Sequence, residues 1–306
     1  MIESSKFKVP ACRQARQSSK LLLLIFLILL CFFLYISLGR SLFFQKGDRV
    51  NLIVYGAEPA VYSLGLKDKV NYLIKFYPDL KVKVPGGYGY YRLGGLGKLV
   101  SLEKNPSLFK KTFSYVTSSF VTRYFYYPSE AIFYGKSQPD RKGARISLLS
   151  FIKQKSNGSF FDQLFFINFF LRNRLKDFII INSFNDFVTK DGYFIAEDFF
   201  KEYQGYFYQP IFRQEKLNTQ LIYKKDYQTA KMISNIIEGN GIRVVDISQK
   251  SQKGINGCLV VENRERFSQS AQALAGFFKC RLKKANPEIS DIIMYIGKKE
   301  DEWEID

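Results

Sequence analysis

Histidine is absent from the 306 residues. Ser–His–Asp triads, His–Cys zinc sites and histidine general bases are therefore excluded. Any chemistry falls to carboxylates, lysines, arginines, tyrosines, serines and backbone groups. Three carboxylates, Glu58, Asp68 and Asp79, precede a glycine-rich run, PGGYGYYRLGGLG, over 85–97. Glu58 and Asp68 offer the hard oxygen donors that Mg²⁺ uses beside a pyrophosphate. Carboxylates at strand ends are also ordinary solvated loop residues. Gly86, Gly87 and Gly89 let backbone N–H groups approach an anion, and Arg92 and Lys98 follow them as candidate ligand-binding cations. The run matches neither a P-loop nor a dinucleotide fingerprint. Without a ligand it reads as a glycine-rich turn between a strand and a helix.

Lys and Arg number 46 against 28 Asp and Glu, a formal charge of +18. That balance suits an anionic neighbour: lipid headgroups or a phosphate-bearing wall polymer. Solvated surface lysines are the plainer reading. Residues 21–38, LLLLIFLILLCFFLYISL, carry no charge and no proline, which predicts a transmembrane helix. Lys6, Lys8, Arg13, Arg16 and Lys20 precede it against Glu3 alone. The positive-inside rule then leaves the N-terminus cytoplasmic and the remainder extracytoplasmic. On that topology the partners are the membrane, through 21–38, and envelope material; nucleic acid is not expected. A cleaved signal peptide is the alternative, with Ser37-Leu38-Gly39 as a poor cleavage site. Of the four cysteines only Cys258 and Cys280 fall outside, where a disulfide persists; two separate buried thiols are the other reading.

The elements that must position these residues follow from pattern. RVNLIVY (49–55) is an apolar, β-branched strand ended by Gly56. Strands are predicted at 70–76 and 81–84, helices into 98–103 and over 108–119, and a charged turn at 140–143. Ser159 with Asp162 three residues on is a capping-box start for an apolar helix to about Leu171. That helix is either buried or the wall of a slot for a lipid tail. FIIIN (178–182) is a strand, and Asp191-Gly192 a hairpin signal. Further on, strand 218–223, helix 227–238 and strand 243–247 make one βαβ unit. Strand 258–262, a helix capped by Ser268 and a strand at 291–296 make the second of two βαβ halves. The ending KKEDEWEID reads as a solvated acidic tail.

On these residues the chain resembles the LytR-CpsA-Psr family of bacterial envelope proteins. RVNLIVYGAE and KVKVPGGYGYYRLGGLGKLVSLE are similar to the family's catalytic-type domain. AKMISNIIEGNGIRVVDI, GCLVVE, ALAGFFKC and DIIMYIG are similar to its separate C-terminal module. The expected fold is thus α/β: a single N-terminal transmembrane helix, a LytR-CpsA-Psr-like α/β domain and a small two-layer α/β C-terminal domain. The expected parts are a basic tail (1–20), anchor (21–39), first domain (48–213), second domain (215–298) and acidic tail (299–306).

The resemblance implies transfer of a glycopolymer from a polyprenyl-pyrophosphate carrier to peptidoglycan, with Mg²⁺ and arginines on the pyrophosphate. Glu58 stands where the family has an Asp, and Asp68 matches the Asp of its Arg-x-Asp motif. Leu66 replaces that motif's arginine, and Pro78-Asp79-Leu80 replaces Pro-Arg-Asp. Tyr223-Lys224-Lys225-Asp226 replaces a glycine-rich turn of the C-terminal module. Two absent arginines remove the main charge-assisted contacts to phosphate. The expectation is a degenerate relative that binds anionic cell-wall polymer or polyprenyl-phosphate lipid without catalysis and without a cofactor. An active transferase with Mg²⁺ on Glu58 and Asp68, and Arg92 or Lys98 on phosphate, is the alternative.

Overall fold

The computed structural model describes residues 11–39, 41–44, 47–128, 131–135, 150–181, 186–250, 257–287 and 289–305, with side chains in the first helix from residue 23. The predicted turn at 140–143 and the basic side chains before residue 21 lie outside the described set. The chain divides into two compact units, 1–46 with 159–165, and 47–158 with 166–306.

The first unit contains helix α1 (Ala11–Gly39). Its described apolar side chains, Leu23 to Tyr35, are largely exposed. The expectation of a membrane-crossing anchor over 21–38 is corrected here. Among the described residues no helix is long and apolar enough to cross a membrane. In the same unit the Ser159 capping box forms. The Asp162 N–H donates to Ser159 Oγ (3.2 Å) and the Ser159 N–H to Asp162 Oδ2 (3.0 Å). The other carboxylate oxygen of Asp162 accepts the Leu42 N–H at 2.8 Å.

The second unit holds two main sheets. In chain order its first elements are β1 (Arg49–Tyr55), β2 (Ala60–Gly65), β3 (Asn71–Lys75), β4 (Lys81–Lys83), β5 (Tyr90–Arg92), α2 (Leu96–Leu102), α3 (Ser107–Thr117), β6 (Val121–Tyr126), α4 (Ser150–Lys153) and β7 (Lys155–Ser156). Helix α5 (Phe160–Arg172, of which 160–165 count with the first unit), β8 (Phe178–Ile181), α6 (Ala196–Tyr203) and α7 (Pro210–Glu215) follow. The first sheet has the order β7-β6-β1-β2-β3-β8, with β4 and β5 a separate hairpin. Strands β1, β2 and β3 form an antiparallel meander, while β6 and β8 join parallel to β1 and β3.

Alternate strand residues face opposite ways, so each face of this sheet needs a cover. On one face Ile53, Val61, Ile74 and Phe76 pack with Leu96, Phe109, Phe113 and Phe199 from α2, α3 and α6. On the other, Phe125 meets Phe151 and Phe166 edge-on at 4.9 and 5.4 Å, and Tyr62 meets Phe170 at 5.4 Å. Helix α5 is only partly buried: Phe166 is fully buried while Leu164 and Leu171 are exposed.

The remaining elements are β9 (Asn218–Tyr223), α8 (Tyr227–Gly239), β10 (Arg243–Gln249), β11 (Leu259–Glu262), α9 (Gln269–Phe278), β12 (Arg281–Lys284), β13 (Ile292–Tyr295) and α10 (Lys299–Trp303). The sheet order is β10-β9-β13-β11-β12. Strand pairs β9/β10 and β11/β12 are parallel, so β9-α8-β10 and β11-α9-β12 are two βαβ units with β13 between them; the second unit closes on β12 and not, as expected, on the 291–296 strand, which runs antiparallel to β11. Asp226 caps α8 by accepting from Gln228 and Thr229, and Ser268 caps α9 by accepting from Ala271. Both helices cover one face, through Ile233, Ile237, Leu274 and Phe278. Phe120, entering β6, stacks on Phe277 of α9 at 4.2 Å, joining the two sheets' cores. Cys258 and Cys280 form a disulfide across 22 residues of sequence.

The ending is solvated only in part: Lys298, Asp301, Glu302 and Glu304 are exposed. Glu300 and Trp303 are each 3% exposed. The Glu300 carboxylate accepts the backbone N–H groups of Lys224 (3.0 Å), Lys225 (2.7 Å) and Asp226 (2.5 Å). Trp303 packs against Phe278 at 5.3 Å. An acidic composition suggested water, but the three converging N–H groups and the aromatic seat make burial favourable.

Candidate functional site

The glycine-rich run folds mostly as the tip of the β4–β5 hairpin. Gly86, Gly87 and Gly89 have φ of 105°, 75° and 67°, the left-handed region that side chains resist. The Val84 N–H closes the tip on the Gly89 carbonyl at 2.9 Å. The Gly86 and Gly87 N–H groups, read from sequence as an anion cradle, donate to the Glu304 carbonyl at 2.8 and 3.2 Å. The N-terminus of α2 is engaged as well: the Gly97 N–H donates to Tyr55 Oη at 2.7 Å, and that hydroxyl donates to the Leu93 carbonyl. Burial pushes the Tyr55 phenol up to about 12, against the backbone contact from Gly97.

The candidate metal pair is not brought together. Glu58 lies in the exposed turn before β2, and Asp68 in the turn after it. The six residues of β2 hold those turns apart by about 17 Å at ~3.3 Å per residue. Asp68 is instead engaged with Arg49. Its Oδ2 meets Arg49 Nη2 at 2.6 Å, and its Oδ1 accepts the Val70 N–H at 3.0 Å. Arg49 Nη1 also donates to Ser63 Oγ and the Val70 carbonyl. Among the described residues no three His, Cys, Asp or Glu side chains group as a metal set. The donors present do not fit the Mg²⁺ site that the resemblance implied for Glu58 and Asp68.

Arg92 does reach a cleft. It sits opposite Lys81 in the β4–β5 register. Together with Tyr77, Asp79, Lys190 and Asp191 they line a cleft of about 520 Å³. Lys98 is exposed on α2 and outside this lining. The opposite wall is the predicted Asp191-Gly192 hairpin, closed by the Thr189 N–H on the Tyr193 carbonyl and the Gly192 N–H on the Thr189 carbonyl, both 2.9 Å. The hairpin is tied to β4: the Lys81 N–H donates to the Gly192 carbonyl, and the Phe194 N–H to the Lys81 carbonyl, each at 2.9 Å.

Three basic and two acidic residues thus line one cleft. Asp79 is among the lining residues, and its Oδ1 is itself buried and accepts no hydrogen bond. Lys81 Nζ lies 4.3 Å from the Tyr193 ring centroid, a cation–π contact. Chemically the cleft can receive an anion with a hydrogen-bond donor next to it. Sequence reading found Arg92 and missed Lys81 and Lys190. Lys190 adjoins a recognised hairpin signal, and Lys81 opens a recognised strand, so each was visible as an element but not as a partner of Arg92. Comparisons with protein-family models, with curated proteins and with solved structures find no match to this chain.

Proposed function

We propose that the chain is a non-catalytic binding module for an anionic cell-envelope polymer, working on the oxidising side of the cytoplasmic membrane. The observation that carries this is the meeting of Lys81, Arg92 and Lys190 around one cleft. The formal charge of +18 supplies long-range attraction for such a polymer. The Cys258–Cys280 disulfide supports the compartment, and the resemblance to envelope proteins agrees with both.

Titration of the full-length chain with short-chain polyphosphate, beside neutral dextran, tests it. Polyphosphate should bind and dextran should not, with affinity falling as salt rises. Arg92→Ala should weaken binding about tenfold, the loss of one charge-assisted contact. No binding at low salt, or Arg92→Ala and Lys190→Ala variants indistinguishable from the parent, would refute the reading.

One observation favours the transferase reading: Asp79 lines the same cleft and its buried Oδ1 has no hydrogen-bond partner. Its test is turnover of a polyprenyl-pyrophosphate-linked glycan by the full-length chain, abolished by Asp79→Asn with stability retained.

A further inference from the structure

Lys110 is a largely covered amine that the Arg92 cleft does not use. It stands on α3, where that helix meets the end of α9. Its Nζ donates to the Phe277 carbonyl at 2.8 Å and lies 3.9 Å from the centroid of the Phe277 ring. Among the described residues no carboxylate forms an ion pair with it. The residue is neither fully buried nor exposed, so part of it meets water.

The charges that act on Lys110 are cations. They are Lys111 from α3, Arg123 from β6, Lys279 just after α9 and Lys299 from α10. The carboxylate among them, Glu302, is already shared. Its Oε2 meets Lys111 Nζ at 3.5 Å, and its Oε1 takes Lys299 Nζ. Burial and like charges both disfavour an ammonium. Together, burial first, they push Lys110 down to about 8. At pH 7.5 such an amine is neutral in about one molecule in four, and a solvated lysine at 10.5 in about one in a thousand. The neutral amine is the nucleophilic form of lysine. The Phe277 carbonyl engages one N–H and leaves the nitrogen lone pair unused.

The surrounding charge selects the electrophile. An acetyl group would leave a neutral amide, which gains nothing from four cations. Carbon dioxide leaves a carboxylate on the nitrogen, which gains from all of them, and it is small enough to reach a largely covered amine. We propose that Lys110 Nζ is a reversible carbon dioxide site, carried as a carbamate within the ring of Lys111, Arg123, Lys279 and Lys299. The ammonium first gives a proton to water. The lone pair then forms the N–C bond, one C=O π pair moves onto oxygen, and the nitrogen gives a second proton to water. The site passes from one positive to one negative charge, and the remaining N–H still serves the Phe277 carbonyl. The modification is independent of the anion cleft.

The test equilibrates the full-length chain with carbon-13 bicarbonate and dissolved carbon dioxide at pH 7.5. Carbamates are trapped by alkylation with triethyloxonium before proteolysis and mass spectrometry. Label at Lys110 should exceed that at the exposed Lys298 by about tenfold or more. This comparison needs no variant. Lys279→Asn removes one of the cations and puts in a residue that tolerates the left-handed backbone there, φ 56°. Thermal melting checks that it folds, and it should lower the Lys110 label severalfold. No label at Lys110, or label equal to that at Lys298, would overturn the proposal. A Lys110 label unchanged in folded Lys279→Asn would overturn it as well, because the ring of cations would then play no part.

Discussion

Replacing Asp68 by Ala should damage the fold rather than remove a catalytic group. The Arg49 side chain is 3% exposed, and its Nη2 meets Asp68 Oδ2 at 2.6 Å. The remaining partners of Arg49 are neutral: Ser63 Oγ at 3.0 Å, the Val70 carbonyl at 3.1 Å and the Tyr72 ring at 5.2 Å. Without Asp68 the guanidinium is a buried charge with no counter-charge among these contacts. Breaking such a pair costs about 3–5 kcal/mol when both partners are buried. The Asp68 side chain is 39% exposed, so water screens part of the attraction, and about 2–3 kcal/mol is expected. In a unit of this size that lowers the melting temperature by about 5–10 °C. Asp68→Asn keeps an acceptor for the Val70 N–H and should cost less.

Urea unfolding of the full-length chain at neutral pH, followed by circular dichroism, gives the numbers. A cycle through Arg49→Met separates causes. If the stranded charge is responsible, the double variant should be more stable than the two single losses predict, by about 1 kcal/mol or more. An Asp68→Ala variant within about 0.5 kcal/mol of the parent, or a cycle with no coupling, would refute the reasoning. The assay also guards functional work, because activity lost in Asp68→Ala would report unfolding.

Three further outcomes follow from burial and charge. Glu300→Ala strands three backbone N–H groups, those of Lys224, Lys225 and Asp226, and should cost about 3–5 kcal/mol in urea unfolding; a loss under ~1 kcal/mol would mean that water replaces the carboxylate. Burial, with Lys279 and Lys111 nearby, pushes the Lys110 ammonium down to about 8. The unfolded chain, with lysine near 10.5, then binds more protons between those values, so stability should rise from pH 8 toward 10 by about 2–3 kcal/mol. Lys110→Met should flatten that rise in pH-dependent melting, and an unchanged slope would exclude Lys110 as its source. Reducing the Cys258–Cys280 bridge, which spans 22 residues, should cost about 3 kcal/mol, read as a lower melting temperature with dithiothreitol that Cys258→Ser with Cys280→Ser no longer shows.

The sequence alone determined the elements whose signals are local. Strands 49–55 and 218–223 have the predicted bounds. The caps at Ser159 and Ser268 form where a capping side chain precedes an apolar period. Such features depend on neighbours within one or two turns, and short spacing encodes them. Strands whose reason lies elsewhere in the chain stayed hidden. β12, RLKK, is a charged sheet edge held by its register with β11. β2, AVYSLG, mixes polar and apolar residues yet is buried throughout between β1 and β3.

The site shows the same division. Arg92 stood out by type, but only pairing across β4–β5 and the return of the 188–194 hairpin set Lys81 and Lys190 beside it. Glu58 and Asp68 sit ten positions apart in sequence, and an intervening strand places them at opposite ends of the sheet. The acidic ending was hydrophilic on paper, and its fate depended on three N–H groups some 75 residues away. Composition and spacing fix which groups exist and how each short segment folds. Which groups meet is decided by packing distant segments into one core, and that information lies in pairs of residues far apart along the chain.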